Sequence, residues 1–334
     1  MALLFFDNFG GYTFAQATRV WNSINGTWTI SATGGRFNDS YVTFSNQDWV
    51  EKSFPATATI VVGFAIKVTT LPAGDSILVS FEDSGTEQCD LRITSTGHLK
   101  VTRNATLLTD GTSSEALSAD TWYYIEWKVT IADSIGAGTC KVTINEVETI
   151  NVATGQDTKN STNASVNYVE IGNITNSALV ADISHIYLDN GTTFLGDCKV
   201  ETLTVNADGT TQNFTSSSGT HKNDVDDATP DDNTTYVESA TVNDIELFGF
   251  TSLSSTPSLI HALATFNCLT KLDAGTRTLA PVLRSNGVNY VQTNFNAVDS
   301  YKYEVEVFPT DPDTAAAWTE ARVNALEAGL KITA

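Results

Sequence analysis

The stretch TWYYIEWKVTI, residues 121–131, alternates along its whole length. Tyr123, Ile125, Trp127, Val129 and Ile131 fall on one face, and Trp122, Tyr124, Glu126, Lys128 and Thr130 on the other. A period of two fits an extended strand with its first set of side chains in a core. The same pattern recurs in 57–69, 76–83, 89–95, 98–104, 138–153, 166–173 and 178–190, with Gly, Asn, Asp and Ser between the runs. Spacings of about 8–12 residues are the cadence of a β-sandwich or barrel. The polar run TDGTSSEALSAD (109–120) reads as a loop, and 142–150 as a two-stranded ribbon turning at Asn145-Glu146. That turn lacks the Asn/Asp-Gly pair that a type I′ turn prefers.

A composition shift follows Asn190 and divides the chain into a first domain over 1–192 and a second, smaller β-sandwich over 193–334. Strands are expected there at 198–206, 234–239, 244–250, 258–272, 276–285, 288–295 and 301–308, with a hairpin turn at Ser285-Asn286-Gly287-Val288. The period then changes. Trp318, Val323, Leu326 and Leu330 suit successive turns of a helix capped by Asp313 or Thr314, and Leu330-Lys331-Ile332 suggests a last strand. The fold class expected is all-β: two antiparallel β-sandwich (jelly-roll) domains with a short helix near the C-terminus.

Charge narrows the function. The net charge is −21, with 21 Asp/Glu against 10 Lys/Arg in 1–197 and 18 against 8 in 198–334. Neither half carries a basic patch, which argues against nucleic acid and against anionic membrane surfaces, since both need Lys/Arg. Cys89, Cys140, Cys198 and Cys268 are far apart and form no CxxC pair, so they read as core residues of a protein made in a reducing cytosol. The apolar run before Asp7 is too short for a signal-peptide core, and no stretch is long enough for a membrane helix, so no export signal and no membrane insertion are expected. Several N-x-S/T sequons, such as Asn25-Gly26-Thr27, follow from an Asn- and Thr-rich composition.

Two resemblances rest on the order of particular blocks. An acidic turn (FEDSG, 81–85), Thr96-Gly97, HLKVTRN, a polar loop, a Trp-led strand, a ribbon and DISHIYLDN follow one another. This order resembles the laminin-G-like branch of the concanavalin A-like lectin/glucanase jelly rolls over roughly residues 5–190. It implies a fold that hosts lectins, glycosidases and structural domains alike. Over about 196–333, GDCKVETL, VDDATPDDNTTYV, DAGTR and WTEARVNALEAG resemble, in that order, a segment of tailed-bacteriophage structural proteins. That resemblance implies a virion component.

Candidate chemistry is sparse. The glucanases of this class set catalytic carboxylates at alternate positions of one strand, as E-x-D-x-E, and no such triplet occurs; Asp244-Ile245-Glu246 is the nearest approach. His98, His185, His221 and His261 are scattered, and neither a nucleophile elbow nor a phosphate-cradling glycine loop occurs. No cofactor is expected. Asp224, Asp226, Asp227, Asp231 and Asp232 crowd one loop, and Asp83 and Asp90 lie at the rim of the first sandwich. Crowded loop carboxylates either bind calcium or cap turns by accepting local N–H groups; the EF-hand pattern is absent, and capping is the preferred reading. Trp21 and Trp28 lie across a turn and would form a glycan-contact face if exposed; Trp49, Trp122 and Tyr41 are further aromatics, and core packing is the commoner role.

The expectation is therefore a non-enzymatic bacteriophage virion structural protein, tail-, baseplate- or fibre-associated, with host-surface glycan contact. Capsid decoration is the alternative, and a carbohydrate-active enzyme is a third reading. Other virion proteins and further copies of the chain are the expected partners, and the virion, assembled in the host cytoplasm, the expected location.

Overall fold

A computed structural model describes residues 3–133 and 137–334. The chain is all-β, with a single short α-helix among the described residues, and it divides into two compact units, one ending at Val200 and the other spanning Glu201–Ala334.

The first unit is a jelly-roll β-sandwich of two antiparallel sheets. The first sheet runs Val147–Gln156, Gly138–Ile144, Trp122–Thr130, Thr59–Thr70, Val180–Asp189, Tyr41–Phe44, Thr29–Ser31, with Leu3–Asp7 also paired to Val180–Asp189. The second runs Thr106–Ala116, His98–Arg103, Thr86–Ile93, Ser76–Asp83, Val166–Gly172, Trp49–Thr57, Ser23–Asn25. Between them lie the side chains that alternation assigns to a core. Ile125, Trp127, Val129, Val79, Phe81 and Leu91 are all fully buried. The Phe81 and Trp127 rings meet across the two sheets with centroids 4.6 Å apart.

Three local features differ from the sequence reading. The polar run at 109–120 is not simply a loop: Thr106–Ala116 pairs with His98–Arg103 as an edge strand through two register shifts. An edge strand needs one ladder partner and no apolar alternation, so its Thr and Ser residues hide it from a periodicity search. The Asn145-Glu146 turn does place both residues at positive φ, 49° and 67°, as a type I′ turn requires. Asn145 Oδ1 accepts the Tyr124 N–H at 2.8 Å, which helps hold the turn without a glycine. Finally, Tyr124 and Glu126 lie on the face opposite the predicted core set, yet they too are buried. The segment 191–200 crosses that face, and Phe194, Leu195 and Cys198 pack on Val61, Ala65, Tyr124 and Tyr187. Residues 193–200, which the composition shift places in the second domain, thus pack with the first unit.

The second unit is smaller. Its six-stranded antiparallel sheet runs Val205–Gln212, Ile245–Phe250, Glu327–Ile332, Thr278–Ser285, Val288–Val291, with Phe295–Asn296 also on Thr278–Ser285. A ribbon of Leu263–Leu269 and Lys302–Phe308 contributes Leu263 and Phe308 to a core shared with Leu283, Trp318, Val323, Leu326 and Ala328. Asn286 (φ 53°) and Gly287 (φ 80°) form the expected hairpin turn. The expected strand at 198–206 begins only at Val205.

The C-terminal helix is a single turn, Glu320–Val323, capped by Thr319 rather than Asp313 or Thr314. Asp311 instead accepts the N–H of Asp313 at 3.0 Å and closes a turn. Leu330 lies in the strand Glu327–Ile332, which pairs on both sides and so takes the residues that a longer helix would need. Trp318, Val323 and Leu326 still share one core, so the apolar spacing marks burial but not helix length.

Candidate functional site

The polar site of the first unit is assembled across strands. On the second sheet, register sets Asp90 opposite Thr102 and Ser80, Ser80 opposite Glu170, Glu170 opposite Glu51, and Glu51 opposite Ser23. These residues alternate with core residues Leu91, Val79, Phe81, Val169, Ile171 and Val50, so their side chains share the face turned away from the core. One step along, Glu82 stands opposite Tyr168 and, through a bulge, opposite Glu87. Directly opposed residues of neighbouring antiparallel strands lie about 4.5–5.5 Å apart. Five carboxylates, Glu51, Glu82, Glu87, Asp90 and Glu170, therefore occupy one patch, with Arg92 and Tyr168 beside them.

The patch resists ionisation. Burial pushes Asp90 up to about 7, reinforced by repulsion from Glu87 and opposed by the Ser80 hydroxyl and Arg92. Glu170 rises to about 7 by burial and by repulsion from Glu82, Glu51 and Asp90. Burial also raises Glu82, with Glu51 and Glu87 adding to it, and raises Glu51. Asp90 is 0% exposed; Arg92 donates to its Oδ2 at 2.7 Å, while its Oδ1 has no hydrogen-bond partner. Glu87 Oε1 is a second buried oxygen without a partner.

Sequence-nominated residues fare differently. Trp21 and Trp28 are 1% and 4% exposed, which corrects the glycan-contact expectation for both. The Trp21 ring stacks on Phe9, and its N–H donates to Asp7 Oδ2 at 3.1 Å; Asp7, itself buried, is pushed up to about 6 by desolvation. Trp28 is boxed by Phe14, Phe44 and Phe9. Tyr41 and Trp122 do meet, edge to face at 6.2 Å with Lys67 over both rings, on the outer face of the first sheet.

The aspartates of the 224–232 loop have separate tasks. Asp224 accepts from Ser216 Oγ at 2.5 Å and Ser217 N–H at 2.9 Å; burial opposes its charge, but these bonds and Ser218 outweigh it and hold the carboxyl below its usual value. Asp226 pairs with Lys222 at 2.9 Å. Asp231 accepts both the N–H and the hydroxyl of Thr235, and Asp227 faces the same hydroxyl at 3.4 Å. Asp232, at φ 61°, turns the chain. Among the described residues no three His, Cys, Asp or Glu side chains converge as a metal site. Asp83 accepts from Asn163 Nδ2 at 2.9 Å and from Ser161, pinning a loop. Of the rim aspartates only Asp90 joins the patch.

Histidines orient local structure. His185 Nδ1 accepts the Val200 N–H at 3.1 Å, and Nε2 faces Asp39 at 3.1 Å. His221 Nδ1 lies 2.7 Å from buried Glu246, whose Oε2 takes the Phe214 N–H.

The chain matches no protein-family model and no curated protein. Among solved structures it is similar to a mutant of Trypanosoma rangeli sialidase displaying trans-sialidase activity, at 12% identity over 50% of this chain and 29% of that one, TM-score 0.35. The aligned part thus spans less than a third of the sialidase. It is also similar to the cellulose-induced protein Cip1 (12% identity, 51% of this chain and 88% of that, TM-score 0.37) and to the alginate lyase AlgAT5 from Polysaccharide Lyase family 7 (12%, 49% and 82%, 0.35). The chemistry of the patch stands on this chain's own residues.

A search along single strands misses these carboxylates, because each strand supplies one or two and only pairing brings them together. The available signal was a polar residue at an outward position between core residues, as in SFED, CDLR and NYVEIG.

Proposed function

We propose that the chain is a non-enzymatic structural protein of a tailed-phage particle, tail- or baseplate-associated, and that its first unit offers the carboxylate face of the second sheet to host-surface glycan. The observation that carries the reading is the use made of the four phage-like blocks. Gly196 has φ 88° and donates its N–H to Glu126, while Asp197 pairs with Arg36. Asp231 holds Thr235; Asp273 pairs with Arg277 at 2.6 Å; Trp318 donates to the Phe308 carbonyl at 2.9 Å. At Gly329 a Cβ would stand 1.9 Å from the Glu246 carbonyl oxygen. Each is an architectural post, as a shared structural segment requires. For the glycan face, the partly exposed Glu51, Glu82 and Glu170 and the half-buried Tyr168 ring lie along one sheet, and carboxylates beside an aromatic ring suit a pyranose for hydrogen bonding and stacking.

A particle reconstruction with antibody labelling tests the first part. A few copies at the tail support the tail reading; hundreds on the head replace it with capsid decoration; absence from the particle removes both. The opposed Glu51 and Glu170 keep a second reading, a carbohydrate-active enzyme, in view, because hydrolysis uses two neighbouring carboxyls in different protonation states. Release of reducing ends from a glycan by the purified protein would establish it.

A further inference from the structure

His185 is a buried ionisable group with no part in the glycan face. We propose that it is a proton-operated latch on the chain leaving the first unit: the neutral ring holds Val200 in place, and the imidazolium lets it go. The latch needs neither the glycan reading nor the particle reading.

A distortion of its strand brings His185 into place. In Val180–Asp189, Ser184 pairs with Ala65 and Tyr187 with Gly63, three steps along one strand against two along the other. The extra residue makes a bulge, and His185 sits in it at φ 50°, a left-handed conformation that an L side chain adopts at a cost. Strain of this kind persists where the surroundings over-determine it. Here the ring is 0% exposed and both nitrogens face a partner. Nδ1 lies 3.1 Å from the Val200 N–H, which can only donate, so Nδ1 accepts and carries no proton. Nε2 faces Asp39 Oδ2 at 3.1 Å, and neither atom has another hydrogen-bond partner. Val200 is half-buried and is the last residue of the first unit, so its bond to the ring fixes the chain at the junction.

A second proton on the ring must go to Nδ1, and it sets N–H against N–H. The Val200 bond is then lost, and its N–H turns to water. Asp39 keeps the imidazolium paired, which offsets the cost of charging a buried ring. Burial opposes the Asp39 charge, but the His185 ring and the Phe37 N–H outweigh it and hold the carboxyl below its usual value. Other ionisable groups surround the latch. Arg36 and Lys199 lie over Phe37, whose ring centroid is 5.2 Å from that of His185, and Arg36 also pairs with Asp197. Tyr124 donates its hydroxyl to the His185 carbonyl at 3.2 Å, with Cys198 packed against it. Asp7, on the neighbouring strand, is engaged by Tyr12 and Trp21. Glu126 fastens Gly196 separately, so Val200 is the residue that reports the latch.

The test is hydrogen exchange of the full chain, followed by NMR at about pH 7.5 and about pH 5, with each rate corrected for the intrinsic exchange of an open amide. Protection of the Val200 amide is expected to fall at least about tenfold at the lower pH, while that of Ile183, paired on both sides in the same strand, holds. His185→Gln keeps an acceptor oxygen but cannot titrate, so its Val200 protection should be the same at both pH values, whatever its level. Nitrogen chemical shifts of the His185 ring in the parent protein give a second reading that needs no variant: Nδ1 bare at the higher pH and protonated at the lower. Val200 protection that stays constant in the parent would overturn the latch. An equal fall in His185→Gln would overturn it too, because another group would then carry the pH dependence. So would a ring that holds its proton on Nδ1 at the higher pH, or one that stays neutral at the lower.

Discussion

Tyr187 donates its hydroxyl to Glu126 although a whole strand lies between them. The residue in between is Gly63, paired with Tyr187 on one side and Glu126 on the other. The Tyr187 ring lies across it: a Cβ there would stand 2.0 Å from Tyr187 Cε1. Glu126 Oε1 also accepts the Gly196 N–H at 2.9 Å, and the Tyr187 hydroxyl receives the Leu195 N–H at 3.2 Å. One buried carboxylate thereby fastens the 191–200 segment to the sheet.

Gly63→Ala should displace Tyr187 and loosen that fastening. Overpacking of this kind costs about 1–3 kcal/mol. Chemical denaturation of the variant, with hydrogen exchange at Leu195 and Gly196, checks it; unchanged protection there would refute the role of the glycine.

Glu126→Ala removes the acceptor for three donors, since Thr143 Oγ1 also faces Oε2 at 3.3 Å. Leaving buried donors unpaired costs about 1–3 kcal/mol, so a loss of that order is expected. Burial raises this carboxyl above its ordinary value, and the Tyr187, Gly196 and Thr143 donors moderate the rise. Glu126→Gln should therefore lose much less, and a Gln variant as unstable as the Ala variant would contradict this account.

Glu170 gives the fold a pH dependence. Its folded value, about 7, lies above the ordinary 4.5, so the protonated carboxyl is favoured in the folded state. That contribution is full below about pH 4.5 and is lost as pH rises through 7. After discounting for solvent screening of this partly exposed group, it amounts to about 1 kcal/mol. The melting temperature should fall between pH 5 and pH 8, and Glu170→Gln should flatten part of that slope. A variant that tracks the parent across the range would show that Glu170 carries none of it.

Gly329→Ala should unfold the second unit. Its would-be Cβ meets the Glu246 backbone oxygen at 1.9 Å, and backbone in a central strand cannot move aside as a side chain can. A loss of more than about 3 kcal/mol is expected, read by denaturant melting of the full chain, with the first unit's Trp127 environment retained.

For the 224–232 loop, Asp224→Ala should destabilise by about 1–2 kcal/mol, since it unpairs Ser216 Oγ and the Ser217 N–H. A chelator should leave melting unchanged. A chelator-induced drop would restore calcium to this loop.

How far the sequence determines this protein can be judged from particular residues. Alternation in TWYYIEWKVTI placed Ile125, Trp127 and Val129 in the core, because a pleated strand presents every second side chain to the same face. Asn286-Gly287 announced its hairpin, since a type I′ turn needs positive φ and those residues tolerate it. Such signals lie within a few neighbouring residues. The burial of Tyr124 and Glu126 depends on a segment about 70 residues away, and the seclusion of Trp21 on aromatics from separate elements. The carboxylate patch is the clearest case. Glu51, Glu82, Asp90 and Glu170 come from four strands, and only the register of those strands sets them side by side. Local chemistry chose strand, turn and face; tertiary pairing chose the neighbours, and with them each carboxyl's charge.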